Sequence, residues 1–188
     1  MNNLLKEYSN LLVKYDEQMN SDDKTCGRNC SCCEGCDYCC HQLIIITDFE
    51  KEIIKTRIYS MYRNEIKRLR KIINEQCEIL SFNNITPQTV TPFLNEKIQK
   101  YVQTTFFDLN LACPFLKDKS CIIHDTRPMA CLTYRNYGNP KDCEKNIFVP
   151  EAYTFNNIEI KLRNEIMQKM GTFPQGFNIL QFALKEIL

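Results

Sequence analysis

The sequence predicts a mainly α fold, a helical domain that carries a cysteine-rich loop and a small β-hairpin. Three observations predict it. Long stretches place apolar residues every three or four positions. Seven of the twelve cysteines fall within the fifteen residues 26–40, a segment with few large apolar side chains. Two short apolar pieces flank the polar turn Lys117-Asp118-Lys119-Ser120.

Residues 1–24 form the first piece of what reads as a single domain over 1–188. Leu4, Leu5, Tyr8, Leu11, Leu12 and Tyr15 share one helical face between residues 2 and 20. Residues 25–46 follow as the cysteine-rich loop, ending in the brief apolar extension Leu43-Ile44-Ile45-Ile46. Residues 47–108 are helical. Thr47 and Glu50 have capping-box spacing, and the stripe Ile54, Ile58, Tyr62, Ile66, Leu69, Ile73, Cys77 and Leu80 predicts one helix to about residue 81. Cys77 lies on that stripe as a buried small hydrophobe. After the loop of Pro87 and Pro92, residues 93–107 read as a helix with Leu94, Ile98, Tyr101, Val102 and Phe106 on its apolar face.

Residues 109–134 contain the predicted hairpin and a second set of cysteines, with Pro128 opening a short helix at its first position. In residues 135–188 the pattern gives a helix over 158–170, stopped by Gly171, and a last one over 177–188.

Composition excludes several functions. The 24 basic and 23 acidic residues nearly cancel, which leaves no electrostatic footprint for nucleic acid or an anionic membrane. None of the five glycines has the spacing of a dinucleotide fingerprint or a phosphate-binding loop. No run of apolar residues is long enough to span a membrane, and residues 1–20 lack the pattern of a signal peptide. A cytoplasmic location is the expectation, and there dense thiols hold metal more readily than disulfides.

Cys30, Cys33, Cys36 and Cys39 are separated by three successive two-residue gaps, with Cys32 and Cys40 each adjacent to the series. Such gaps turn consecutive thiolates toward one centre. Iron–sulfur proteins use them, with a distant cysteine before proline completing the set, and Cys113-Pro114 has that form. Zinc accepts the same donors, so the spacing leaves both metals open. The two histidines, His41 and His124, read as packing or supporting groups. The Cys26, Cys30, Cys33 triple has the spacing of radical S-adenosylmethionine enzymes, but the long helices that follow do not fit their repeating β/α barrel.

Three blocks in order, Cys33-Glu-Gly-Cys36-Asp-Tyr-Cys39-Cys40 with the Thr47-x-x-Glu50 helix start, Cys113-Pro-Phe-Leu with Cys121-Ile, and Arg127-Pro128-x-x-Cys131, resemble the CxxCxxCC cysteine-cluster family, also called YkgJ-like. The likeness covers residues 33–134. It implies a zinc- or iron-chelating domain with Cys33, Cys36, Cys39, Cys40, Cys113, Cys121 and Cys131 as metal-site residues. Seven thiols exceed the four one cubane needs, and adjacent Cys39 and Cys40 are expected to diverge. Cys26, Cys30 and Cys32 lie outside the likeness. Cys143 reads as a member of a second centre or a loop thiol.

Arg127 matches the family pattern, and its guanidinium would stabilise the negative charge of a four-thiolate cluster. His124 and Leu132 depart from it, standing where the family commonly has Tyr and Arg. The family includes the flagellin lysine N-methylases, which the resemblance links to an iron–sulfur cluster used with S-adenosylmethionine. The expectation is therefore a [4Fe-4S] protein that supports methyl transfer to a protein or peptide lysine. The alternatives are a non-catalytic zinc- or iron-binding module and a structural zinc knot.

Overall fold

The structure is a computed structural model that describes residues 3–33, 35–87, 96–146, 148–170 and 176–188. The elements run α1 (Asn3–Thr25), a 3-10 turn (Tyr38–His41), β1 (Ile45–Thr47), α2 (Asp48–Tyr59), α3 (Arg63–Phe82), α4 (Glu96–Asp108), β2 (Leu116–Lys117), β3 (Ser120–Cys121), a 3-10 turn (His124–Thr126), α5 (Met129–Thr133), β4 (Tyr134–Asn136), α6 (Asp142–Lys145), β5 (Ala152–Thr154), α7 (Asn156–Met170), β6 (Phe177–Ile179) and α8 (Leu180–Ile187). The fold is mainly α, as the periodicity predicts. Among the described residues the strands form three antiparallel pairs, β1 with β6, β2 with β3 and β4 with β5.

Two apolar clusters carry the packing. In one, α2, α3, α4 and α8 close over β1 and β6 and over Cys113, Phe115 and Ile123 of the second cysteine block. In the other, the predicted face of α1 packs on Ile53, on Met129 and Leu132, and on Ile158, Leu162 and Ile166 of α7. Leu132, one of the two departures from the family pattern, is a core residue here.

Several boundaries differ from the sequence reading. The first helix continues to Thr25 because Asp23, on the face of Tyr15 and Met19, is buried against Arg135. The helix expected from 47 to 81 is two helices. Ser60 Oγ donates to the Arg57 carbonyl at 2.7 Å, an alternative to continuing the ladder, and Tyr62 is an exposed extended residue at the start of α3. The end of α3 is sharply defined. Asn84 takes a left-handed φ of 59°, Ile85 N–H donates to the Leu80 carbonyl at 2.9 Å, and Asn84 N–H donates to that of Ser81 at 3.1 Å, closing a Schellman motif over buried apolar side chains.

In α4 only Val102 and Phe106 of the predicted face are buried, while Ile98 and Tyr101 are exposed; residues 93–95 lie outside the described residues, as does the predicted stop at Gly171. Pro128 precedes α5 as its cap instead of occupying the first turn. The first three residues of the expected 177–188 helix are strand, because Ile45, Ile46 and Thr47 pair with Ile179, Asn178 and Phe177. Just before them Gly176 has φ +79°, a left-handed conformation that favours glycine, and a Cβ there would also displace the Asp48 carboxylate. The hairpin is as predicted, with Asp118 and Lys119 both at positive φ (50° and 60°) in the turn geometry that matches strand twist. The β4–β5 pair was not legible from alternation in three-residue segments.

Candidate metal centre

The two cysteine blocks are brought together by backbone and by α3. Cys113 N–H donates to the Cys40 carbonyl at 2.7 Å, which ties the second block directly to the 3-10 turn of the first. Gln76 Nε2 donates to the Ala112 carbonyl at 2.7 Å and Arg68 Nη2 to that of Pro114 at 3.1 Å, so α3 fixes the approach to β2. From the other side the buried capping box does the same for Cys131. Glu50 Oε2 accepts from Thr47 N–H and Oγ1, both at 2.8 Å, while Glu50 Oε1 accepts from Met129 N–H at 2.7 Å. One carboxylate thus ends two helices, and Cys131 sits in the first turn and a half of the second.

The result is a cavity of about 1550 Å3 lined by Cys30, Cys32, Cys33, Cys36, Cys39, Cys40, Cys113, Cys121 and Cys131, with Arg127 and His124 at its wall. All seven cysteines of the expected site, and Arg127, reach this one space. Cys39 and Cys40 do not diverge as expected. The 3-10 turn brings their thiols into a hydrogen bond with each other, and both line the cavity. Cys77 is buried in the α3 core, as predicted, and Cys26 is exposed on the loop. Cys143 is buried in α6, a short helix the sequence reading did not anticipate.

Within the ring, the thiols of Cys39, Cys113, Cys121 and Cys131 form a complete set, each within electrostatic reach of the other three. Burial, followed by the neighbouring sulfurs, pushes Cys113 up to about 12 and Cys131 well above the usual thiol range. The hydrogen bond to Cys40 comes first, then burial, in raising Cys39. Burial also raises Cys121, and the Arg127 guanidinium opposes that rise at both Cys39 and Cys121. A cation joining thiols crowded in this way favours their ionised form.

The donor set therefore fits a thiophilic metal. Among the described residues no three Cys, His, Asp or Glu side chains converge on one ion-sized point. The sulfurs instead ring a wider space.

Arg127 is held for its position. Tyr8 OH donates to its carbonyl at 3.1 Å, its guanidinium contacts His124 Nε2 and pairs with Asp16 at 3.5 Å, and its buried Nε has no hydrogen-bond partner among the described residues. Beneath it Arg135 is buried against Asp23 at 2.8 Å and also reaches Asp16 at 3.0 Å and Asn20 Oδ1 at 2.9 Å. The N-terminal helix, outside the matching blocks, thus supplies the anions that anchor both arginines.

A family profile described as "putative zinc- or iron-chelating domain" matches residues 32–156, about two thirds of the chain. The chain belongs to the CxxCxxCC family. In comparisons with curated proteins and with solved structures nothing matches. The CxxCxxCC match begins at Cys32 and extends beyond Cys143, so it takes in two thiols that the sequence reading left outside the likeness or unassigned. Glu50 and Arg135 were also missed as parts of the site, as was Asn136, whose backbone N–H donates to the cavity-lining Cys32 Sγ at 3.4 Å. The capping spacing pointed to Glu50 for its own helix, but nothing local signals that its second oxygen serves α5. Metal binding follows from membership, and no described helix is long and apolar enough to cross a membrane.

Proposed function

We propose that this CxxCxxCC protein holds an iron–sulfur cluster of the [4Fe-4S] type on Cys39, Cys113, Cys121 and Cys131. The observation that carries the reading is the complete set of mutual approaches among these four thiols beside a wide cavity. A single tetrahedral zinc ion with bonds of about 2.3 Å would draw four sulfurs to within roughly 3.8 Å of one another. A cluster keeps its ligand sulfurs further apart and suits a ring. Arg127 stabilises the negative charge of the thiolate set, and Cys33 and Cys40 line the same space as neighbouring thiols.

The cavity volume favours an added role. About 1550 Å3 exceeds the 300–1,000 Å3 typical of small-molecule pockets, which leaves room beside the cluster for S-adenosylmethionine and for a lysine side chain of a protein or peptide substrate. The chain's own contribution would be to bind and orient these groups at the thiol ring, with methyl transfer as the outcome.

Anaerobic purification from iron-replete cells tests the proposal. A brown protein with iron and acid-labile sulfide, both lost in Cys39→Ala and Cys131→Ala, is expected. A colourless protein with stoichiometric zinc under the same conditions would replace the cluster reading with the zinc-binding module. The cosubstrate reading is checked separately by calorimetric titration of the loaded protein with S-adenosylmethionine.

A further inference from the structure

One lysine of this chain already sits on an aromatic ring at the edge of the cavity. Lys100 Nζ lies over the Phe148 ring, 5.4 Å from its centroid. Phe148 lines the cavity and is nevertheless 47% exposed, so its ring stands at the mouth, between the interior and solvent. The backbone holds it there. Phe148 N–H donates to Asn146 Oδ1 at 2.9 Å, the next residue Val149 is buried, and Ala152 N–H donates to the Val149 carbonyl at 3.1 Å to close a turn. Lys100 belongs to α4, whose Gln99, Val102 and Gln103 line the same cavity. Ile98 and Tyr101, which flank Gln99 and Lys100 in sequence, are exposed. Neither α4 nor the segment from Asn146 to Thr154 contains a cysteine, so this edge of the cavity is free of the thiol ring.

We propose that Phe148 is the contact for a lysine side chain entering the cavity, and that Lys100 fills its place until such a side chain arrives. The inference rests on the lysine-directed reading given above and adds where that lysine is recognised. An aromatic ring anchored half in water leaves apolar surface uncovered, while the face of the ring attracts a cation through its quadrupole. An alkylammonium answers both needs. Its methylene stem covers apolar surface and its charged head lies over the ring face, with the head still reached by water. Lys100 shows that this face of Phe148 accepts such a group. On the α4 side Val102 offers apolar surface to the stem, and the amides of Gln99 and Gln103 offer hydrogen bonds to the peptide that carries it. The mouth therefore favours a lysine over a neutral side chain of equal length, and Lys100 competes with every lysine that enters.

The test uses the full-length, metal-loaded protein without S-adenosylmethionine, so that it reads recognition and not transfer. Two peptides are titrated by calorimetry in about 0.3 M salt, which screens remote charges. One is acetyl-Gly-Gly-Lys-Gly-Gly-amide and the other has norleucine in place of the lysine. The wild type should bind the lysine peptide about threefold or more tightly than its neutral counterpart. Phe148→Leu should lose that preference and Phe148→Tyr should keep it. Lys100→Met, which vacates the ring, should tighten the lysine peptide about twofold. Tyr62→Leu, at an exposed aromatic outside the cavity, should change nothing. Equal affinity of the wild type for both peptides, or an undiminished preference in Phe148→Leu, would overturn the proposal. Weaker lysine binding in Lys100→Met would overturn it as well, because Lys100 would then be part of the site and not its occupant. Metal content and colour report on the cluster reading separately, and Phe148→Leu should alter neither, so the failure of one is told apart from the failure of the other.

Discussion

Glu50 accepts a hydrogen bond from the backbone N–H of Met129 at 2.7 Å, across 79 residues of sequence. The same carboxylate completes the capping box of α2, so the start of the helix that carries Cys131 is fixed by the start of the helix that follows the first cysteine block. Removing it leaves the Thr47 and Met129 amides without partners in a site only 2% exposed. Glu50→Ala should therefore destabilise the fold by about 2 to 4 kcal/mol, a Tm fall on the order of 10 °C. It should also lower metal retention although Glu50 is not a ligand. Calorimetry and metal analysis of the same preparation check both, and unchanged metal would mean that α5 holds Cys131 without this anchor.

The buried pair Asp23–Arg135 is the second anchor. Both side chains are nearly sealed from solvent, and Tyr137 OH donates to Asp23 at 2.8 Å. Asp23→Ala leaves the Arg135 charge buried with only Asp16 to balance it, which should cost about 3 to 5 kcal/mol. The double variant Asp23→Ala/Arg135→Ala should cost less than the sum of the two single changes. Additivity in denaturant melts would show that the two side chains do not interact.

Tyr15 gives a pH dependence that can be read against a control. Burial, then its hydrogen bond to Glu165 at 2.9 Å, raises the phenol from 10.0 to about 12. The folded state holds this proton more tightly than the unfolded chain, so its contribution is intact below pH 10 and falls as pH rises toward 12. Between pH 9 and 11 the stability advantage of the wild type over Tyr15→Phe should shrink by about 1 kcal/mol. A constant difference across that range would show that the phenol titrates alike in both states.

Chelation should act on part of the molecule. The cysteine segments contribute few large side chains, too little burial to offset an ordering cost of about 1 to 2 kcal/mol per residue. The helices supply most of two apolar clusters, to which residues 113–131 add Cys113, Phe115, Ile123 and Met129. Metal removal should keep most helical circular dichroism while hydrogen exchange accelerates at residues 26–40 and 113–131. Loss of the whole helical signal would show that the metal nucleates the entire fold.

Cys36→Ala and Cys121→Ala should each reduce metal content, although the two positions are 85 residues apart. Cys77→Ala, in the α3 core, should change stability and leave metal content intact. Full metal in Cys121→Ala would remove the hairpin from the site.

The sequence by itself determined the helical class, the capping box at Thr47 and Glu50, the hairpin turn and the set of thiols, because each is written in local spacing. Amphipathic period, turn chemistry and two-residue cysteine gaps need no knowledge of distant chain. Tertiary structure decided what distant groups do. That Cys39 and Cys40 face one cavity depends on a 3-10 turn held by the second cysteine block, and that Phe177 to Ile179 are strand depends on β1 offering its edge. The break between α2 and α3 and the exposure of Ile98 and Tyr101 follow from which faces found partners. Glu50 with Met129 and Asp23 with Arg135 are buried polar pairings between remote segments, and Asn136 makes a buried one with Cys143. Sequence displays the need of each such group for a partner, and only the packed chain selects the partner, because a buried donor or acceptor is satisfied by whatever the fold brings within about 3 Å.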